Sequence, residues 1–186
     1  WDIDAVFTGS QKGWMIPPGI MMIAASQRAW EANKTAKLPR FYFDWASARK
    51  KLEVWQHPFT PPVSLFYALD VALEMMLDEG REAIFERHRR AGEYVRNRAK
   101  AMGLQLLADS EHASNTVSAI QAPEGIDAKA LLKKLREQDH VVLAGGQEHL
   151  EGKIFRVGHL GFFTEADLAQ TMDSLEKRLH EFGFKG

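Results

Sequence analysis

The 186-residue sequence predicts an α/β protein that ends in a small α+β domain. Three observations carry that prediction. Short alternating or apolar runs at 2–7 and 20–25 read as strands around a turn rich in glycine and proline. Two long stretches of helical period follow, Val63 to Glu79 and Arg81 to Ala101, each closed by a glycine. From Leu104 the order becomes strand, strand, helix, strand, strand, helix with short connections, which implies a compact α+β layer pair with helices on one face.

Composition narrows the function classes. Apolar content of 45% and charged content of 26% are those of an ordinary globular chain. A net charge of −1 gives no electrostatic reason to expect nucleic acid or an anionic membrane as partner. No apolar run is long enough to span a bilayer. With no cysteine there is no disulfide framework, no thiolate metal site and no thiol nucleophile, and a reducing, cytoplasmic setting fits.

Taken in order, Asp2 to Phe7 is a short strand feeding Thr8-Gly9-Ser10-Gln11-Lys12-Gly13-Trp14-Met15-Ile16-Pro17-Pro18-Gly19. Glycines at 9 and 13 are expected to take backbone angles closed to other residues, and the prolines keep helix out of the segment. A lysine confined there suits Schiff-base chemistry as an amine nucleophile; the plainer reading is a solvated loop charge. Ile20 to Ala25 reads as a buried strand, with Met21 and Met22 filling core rather than lining a ligand site. Ser26 caps a helix to about Asn33. Phe41-Tyr42-Phe43-Asp44-Trp45 reads as packing under the lysine loop, or as an aromatic wall of a site.

The turn Trp55-Gln56-His57-Pro58-Phe59-Thr60-Pro61-Pro62 precedes the first long helix, and Thr60 is a candidate N-cap. That helix carries Leu65, Leu69, Ala72, Leu73, Met76 and Leu77 as its stripe, and Gly80 stops it. The second turns Ile84, Phe85, Tyr94, Val95 and Met102 inward. Its basic run Arg87-His88-Arg89-Arg90 is interleaved with acids and reads as a solvated face rather than a nucleic-acid surface. Beyond Gly103, strands are expected at Leu104–Leu107, Thr116–Ile120, Val141–Leu143 and Lys153–Val157. Helices are expected from Ala128 to Gln138 behind Asp127, and from Thr164 to about Phe182 behind a near capping box. Arg156 ends a strand before the bend Gly158-His159-Leu160-Gly161, where its planar fork could meet a carboxylate or a structural acid. The histidines show no metal-ligand spacing, so no metal is expected.

Ser10-Gln11-Lys12 followed by Pro17-Pro18-Gly19 resembles the cofactor-lysine segment of the class V pyridoxal-phosphate aminotransferases, of the alanine–glyoxylate and serine–pyruvate type. The segment Trp55 to Pro62 resembles the family's Thr-Pro motif, and Arg156 stands where the family has its carboxylate-binding arginine. The resemblance implies fold type I: 1–62 as the end of the large cofactor-binding domain, 63–103 as a helical connection, and 104–186 as the small C-terminal domain. It implies that Lys12 is catalytic and carries pyridoxal 5′-phosphate, its amine kept partly neutral by burial. Gln11 and Thr60 would bind the cofactor, Thr60 reaching the phosphate of the neighbouring subunit in a homodimer. Arg156 would bind the substrate α-carboxylate.

The implied reaction moves an amino group from alanine or serine to a small 2-oxo acid such as glyoxylate or pyruvate. A lyase or epimerase of the same fold, or an incomplete assembly domain, stands as the alternative. The missing thiol argues against the cysteine desulfurases, relatives that use a cysteine nucleophile. The family's aspartate under the pyridine nitrogen, its ring-stacking aromatic and its glycine-rich helix start lie upstream of the lysine. None is found in the eleven residues before Lys12. The chain is therefore expected to be the C-terminal half of the enzyme, completed by an N-terminal half.

Overall fold

The computed structural model describes residues 1–186, which divide into two units, Trp1–Met75 and Met76–Gly186. In the first, β1 (Ala5–Gly9) and β2 (Met21–Ala25) pair antiparallel with Ala5 opposite Ala25 and Gly9 opposite Met21. Two short helices follow, α1 (Gln27–Thr35) and α2 (Trp45–Leu52). Ser26 caps α1 as expected, its hydroxyl accepting from the Ala29 amide at 3.1 Å. The same hydroxyl donates to Asp4, which also accepts two bonds from Arg28. Helix α2 was not anticipated. Its N-cap is Asp44, which accepts from the Ala46 amide at 3.0 Å, a signal hidden inside an aromatic run.

The strand at 20–25 is not buried: Met21, Ile23, Val6 and Phe7 are all exposed large apolar residues. The ribbon has only two strands, so its apolar side chains find no second layer within the unit. Phe41, Tyr42 and Phe43 are likewise exposed and gather about Phe59 instead of lying beneath a core, with Tyr42 stacked on Phe59 at 4.6 Å between ring centroids. What holds the unit together is the packing of Ile16, Trp14, Met15, Ile20 and Met22 on Leu69 and Ala72 of α3 (Val63–Glu79).

In the second unit, α4 (Arg81–Ala101) leads to β3 (Val117–Gln121), α5 (Ala128–Asp139), β4 (Ala144–Gly145), β5 (Ile154–Gly158) and α6 (Glu165–Glu181). The strands form one antiparallel sheet in the order β3-β5-β4. The run expected as a strand at Leu104–Leu107 makes a single bridge, Leu106 to Ile120. Expected at Val141–Leu143, the fourth strand is displaced to Ala144–Gly145. His140 ends α5 in a left-handed conformation and the chain uses the next residues to return to the sheet.

Strand periodicity places Ile120, Phe155 and Val157 on one face, against Val95 and Ala99 of α4, Leu131 and Leu135 of α5, and Leu168, Met172, Leu175 and Leu179 of α6. Within α4 the inward residues are Ala91, Gly92, Val95 and Ala99, whereas Phe85 turns outward. Arg178 of α6 is 6% exposed and grips Asp139 at the end of α5 through Nε and Nη2, at 2.6 and 2.8 Å. The capping box forms as read, Thr164 and Asp167 bonding reciprocally. No helix is long and apolar enough to cross a membrane.

Candidate active site

The Lys12 turn is the connection between β1 and β2, and Ser10 holds it shut. Ser10 is fully buried. Its amide donates to the Ile20 carbonyl at 3.0 Å, its hydroxyl donates to the Pro17 carbonyl at 2.8 Å, and that hydroxyl accepts from the Ile20 amide at 3.2 Å. A second brace runs from the Trp14 indole N–H to the Thr8 hydroxyl at 2.9 Å. Every one of these bonds spans the turn, so the segment between Ser10 and Ile20 is fixed although it belongs to neither strand.

Backbone freedom is used at positions other than those expected. Gly9 and Gly13 do not take positive φ; Met15 at 64° and Gly19 at 144° do. Gly9 matters for space: a Cβ there would lie 2.8 Å from the Gln11 amide oxygen, so its absence lets the Gln11 side chain fold over the strand end. Gly19 has the same reason, since a Cβ would meet Leu65 of α3 at 2.5 Å.

Lys12 projects from this braced turn, exposed, with no ion pair and no hydrogen bond on its amine. The burial expected of it is not provided by its own unit. Gln11 stands beside it on the same turn. Thr60, also exposed, lies in the loop ahead of α3, and its hydroxyl bonds to nothing in the chain. The N-cap alternative for Thr60 therefore does not hold, because α3 starts at Val63 and its first amides turn to the Pro61 and Pro62 carbonyls. His57 is spent locally on Phe59.

Arg156 belongs to the second unit, on the sheet face opposite the helical core. Its cross-strand neighbours are Ala119 and Ala144, whose methyl groups leave the guanidinium room. Nε donates to the Gly145 carbonyl at 3.0 Å, and no carboxylate of the chain pairs with it, so both Nη groups are uncommitted. The structural salt bridge considered for Arg156 is thus not made. Gly146 makes this anchorage possible, as a Cβ there would fall 2.0 Å from the Leu150 carbonyl oxygen.

His159 packs and hydrogen-bonds within the second unit. Fully buried, it is held by the Asn115 carbonyl at Nδ1, 3.0 Å, and by the Ser118 hydroxyl at Nε2, 2.9 Å. Burial pushes its imidazole below the ordinary value, and the nearby Arg96 adds to that.

The chain is similar to known proteins over nearly its whole length. It is 47% identical over 184 residues to the soluble hydrogenase small subunit of a Synechococcus species, covering 99% of this chain and 48% of that protein. It is 38% identical over 191 residues to the serine–glyoxylate aminotransferase of Methylorubrum extorquens, covering 100% of this chain and 48% of the relative. The crystal structure of alanine–glyoxylate aminotransferase from a Nostoc species superposes with a TM-score of 0.89 at 31% identity, over 96% of this chain and 48% of that one. The chain is homologous to the C-terminal half of the class V aminotransferases. Its mixed α/β fold is that of the fold-type I class. No family model matches it. The chain spans about half the length of these aminotransferase relatives, as expected of a C-terminal half.

Within this chain, sequence reasoning missed Ser10 and the Trp14–Thr8 brace. A serine before a lysine carries no visible signal of burial, because its partners are backbone groups seven and ten residues away. The residues present suit an aldehyde cofactor bearing a phosphate. They offer an uncommitted amine on a fixed turn, an amide folded beside it over Gly9, and a free hydroxyl at Thr60.

Proposed function

We propose that this chain contributes Lys12 and Arg156 to a pyridoxal-phosphate-dependent transamination. The donor is a small amino acid, alanine or serine, and the acceptor a small 2-oxo acid such as glyoxylate or pyruvate. The observation that carries the reading is the uncommitted Lys12 amine on a turn braced through Ser10. Bound there, pyridoxal phosphate supplies the electron sink that makes a substrate Cα–H acidic.

The chain's own groups have definite tasks. Lys12 Nζ would hold the cofactor and, as a free amine, would accept the proton from the substrate Cα. Both Nη groups of Arg156 grip the α-carboxylate and so set the direction of the Cα–H bond. Gln11 and Thr60 donate to the phosphate, Thr60 across a homodimer interface. An N-terminal half provides the remaining walls and the burial that Lys12 lacks within its own unit, and the setting is cytoplasmic.

Two relatives bear the names of hydrogenase subunits. This chain has no cysteine and so offers no thiolate to a metal cluster, while its lysine turn and free arginine suit amino transfer.

The test is a product assay on the natural full-length polypeptide with pyridoxal phosphate, serine or alanine, and glyoxylate. Glycine and the matching 2-oxo acid should form in equal amounts, and Lys12→Ala should abolish both. Ammonia release or racemised substrate without glycine would assign the lyase or epimerase alternative. No turnover at all, unaffected by Lys12→Ala, would leave an assembly role.

A further inference from the structure

The bend that follows Arg156 is tied to α4 by two neighbouring side chains. Arg87 Nη1 donates to the Gly161 carbonyl at 3.0 Å, and the Gly161 amide donates to His88 Nε2 at 3.2 Å. Both polar groups of one buried residue are therefore satisfied from consecutive positions of a helix. His88 Nδ1 lies 2.7 Å from the Ile84 carbonyl oxygen. A carbonyl only accepts and an amide only donates, so Nδ1 serves as the donor and Nε2 as the acceptor. Phe163 meets the His88 ring edge-on at 5.5 Å and lies under Arg87 at 4.8 Å, while Glu79 fixes Arg87 through two bonds of 2.6 and 2.9 Å.

At its other end the bend is held by His159, whose amide donates to the Thr116 carbonyl at 2.9 Å and whose ring is bonded at both nitrogens. Gly161 has φ 74°, a conformation open to glycine and to few other residues. Arg156 sits two residues before the bend begins, and its direction depends on where β5 is made to stop.

We infer that His88 is a positioning residue: by accepting the Gly161 N–H it fixes the bend after Arg156, and with it the line along which Arg156 meets the substrate carboxylate. This rests on the proposed role of Arg156. Errors of about 1 Å in such a clamp cost on the order of a hundredfold in rate or affinity.

His88→Phe keeps a ring against Phe163 but removes the acceptor, and His88→Gln restores an acceptor without the ring. In the natural full-length polypeptide loaded with cofactor, His88→Phe should raise KM for the amino acid by roughly tenfold and lower kcat as well, because the clamp also sets the Cα–H direction. His88→Gln should return KM to within about twofold of wild type. The Gly161 amide should exchange its hydrogen fast in His88→Phe and slowly in wild type and His88→Gln. Should the phenylalanine variant fail to fold, Arg87→Met takes its place with the same expected rise in KM. Arg156→Lys, measured alongside, separates the two readings. If it raises KM and His88→Phe does not, the positioning role is overturned while Arg156 stands. If Arg156→Lys leaves KM unchanged, the carboxylate reading fails and the inference with it.

Discussion

The Ser10 hydroxyl lies 2.8 Å from the Pro17 carbonyl oxygen, and this bond closes the turn that carries Lys12. Removing it leaves that carbonyl and the Ile20 amide without this partner in a part-buried place, at a cost of about 1 kcal/mol for each bond lost. Ser10→Ala should therefore lower the unfolding midpoint and weaken pyridoxal phosphate binding by roughly tenfold, since the amine no longer stands in one place. Cofactor titration and denaturant unfolding measure the two effects separately. Destabilisation with unchanged cofactor affinity would show that the brace serves only the fold.

Thr60 makes the opposite prediction. Its hydroxyl is exposed and bonds to nothing in the chain, so Thr60→Val should leave stability within about 0.5 kcal/mol. Affinity for the phosphorylated cofactor should fall on the order of tenfold, as expected for losing a hydrogen bond to a charged group. Pyridoxal without the phosphate, titrated in parallel, should bind wild type and variant alike.

How far these arrangements could be read from sequence depends on how local their causes are. Helices α3 and α4 match their expected limits, Val63–Glu79 and Arg81–Ala101, because Gly80 and a run of helical period act within a few residues. The capping box at Thr164 and Asp167 is equally local. Leu104–Leu107 looks like Thr116–Ile120 in composition, yet only the second became a full strand, a choice settled by partners across the sheet. The apolar run at 20–25 was read as buried from its composition, and its exposure follows from a ribbon with no further layer. Lys12, Thr60 and Arg156 were legible as motifs. The bonds that hold their segments, through Ser10, Gly145 and Gly161, were not, because each joins residues to distant backbone groups that carry no side-chain signature.

Acid should weaken the second unit through His159. Its folded pKa is lowered by burial, whereas the unfolded chain titrates near about 6.5. Above that value both states are neutral and the stability is complete. As pH falls below it, the unfolded chain takes up a proton that the folded one refuses, and stability declines until the lowered folded pKa is reached. The slope from this single group is at most about 1.4 kcal/mol per pH unit. Unfolding followed between pH 7 and 5, as a range of roughly two units, should show this decline in wild type and a flatter profile in His159→Gln.

Arg178 should matter more to stability than any exposed ion pair. It is 6% exposed and bonds both Asp139 and Glu181, whereas the Arg81–Glu82 pair is open to solvent. Arg178→Met should lower the unfolding midpoint clearly, by leaving Asp139 without its cation, and Arg81→Met should change it little. The Arg178 guanidinium holds the Asp139 carboxyl below the usual carboxylate range. This contribution is therefore present at neutral pH and is lost as pH falls through that lowered value. Thermal melts of the two variants at neutral pH decide the comparison, and equal shifts would contradict it.

The central claim is that Lys12 carries the cofactor, and a visible absorption spectrum of the natural full-length polypeptide with added pyridoxal phosphate tests it most directly. Wild type should turn yellow, borohydride should convert the band into a stable adduct, and peptide mapping should find that adduct on Lys12. Lys12→Ala should show neither band nor adduct. A band that persists in Lys12→Ala, an adduct on another lysine, or a colourless wild type would contradict the account.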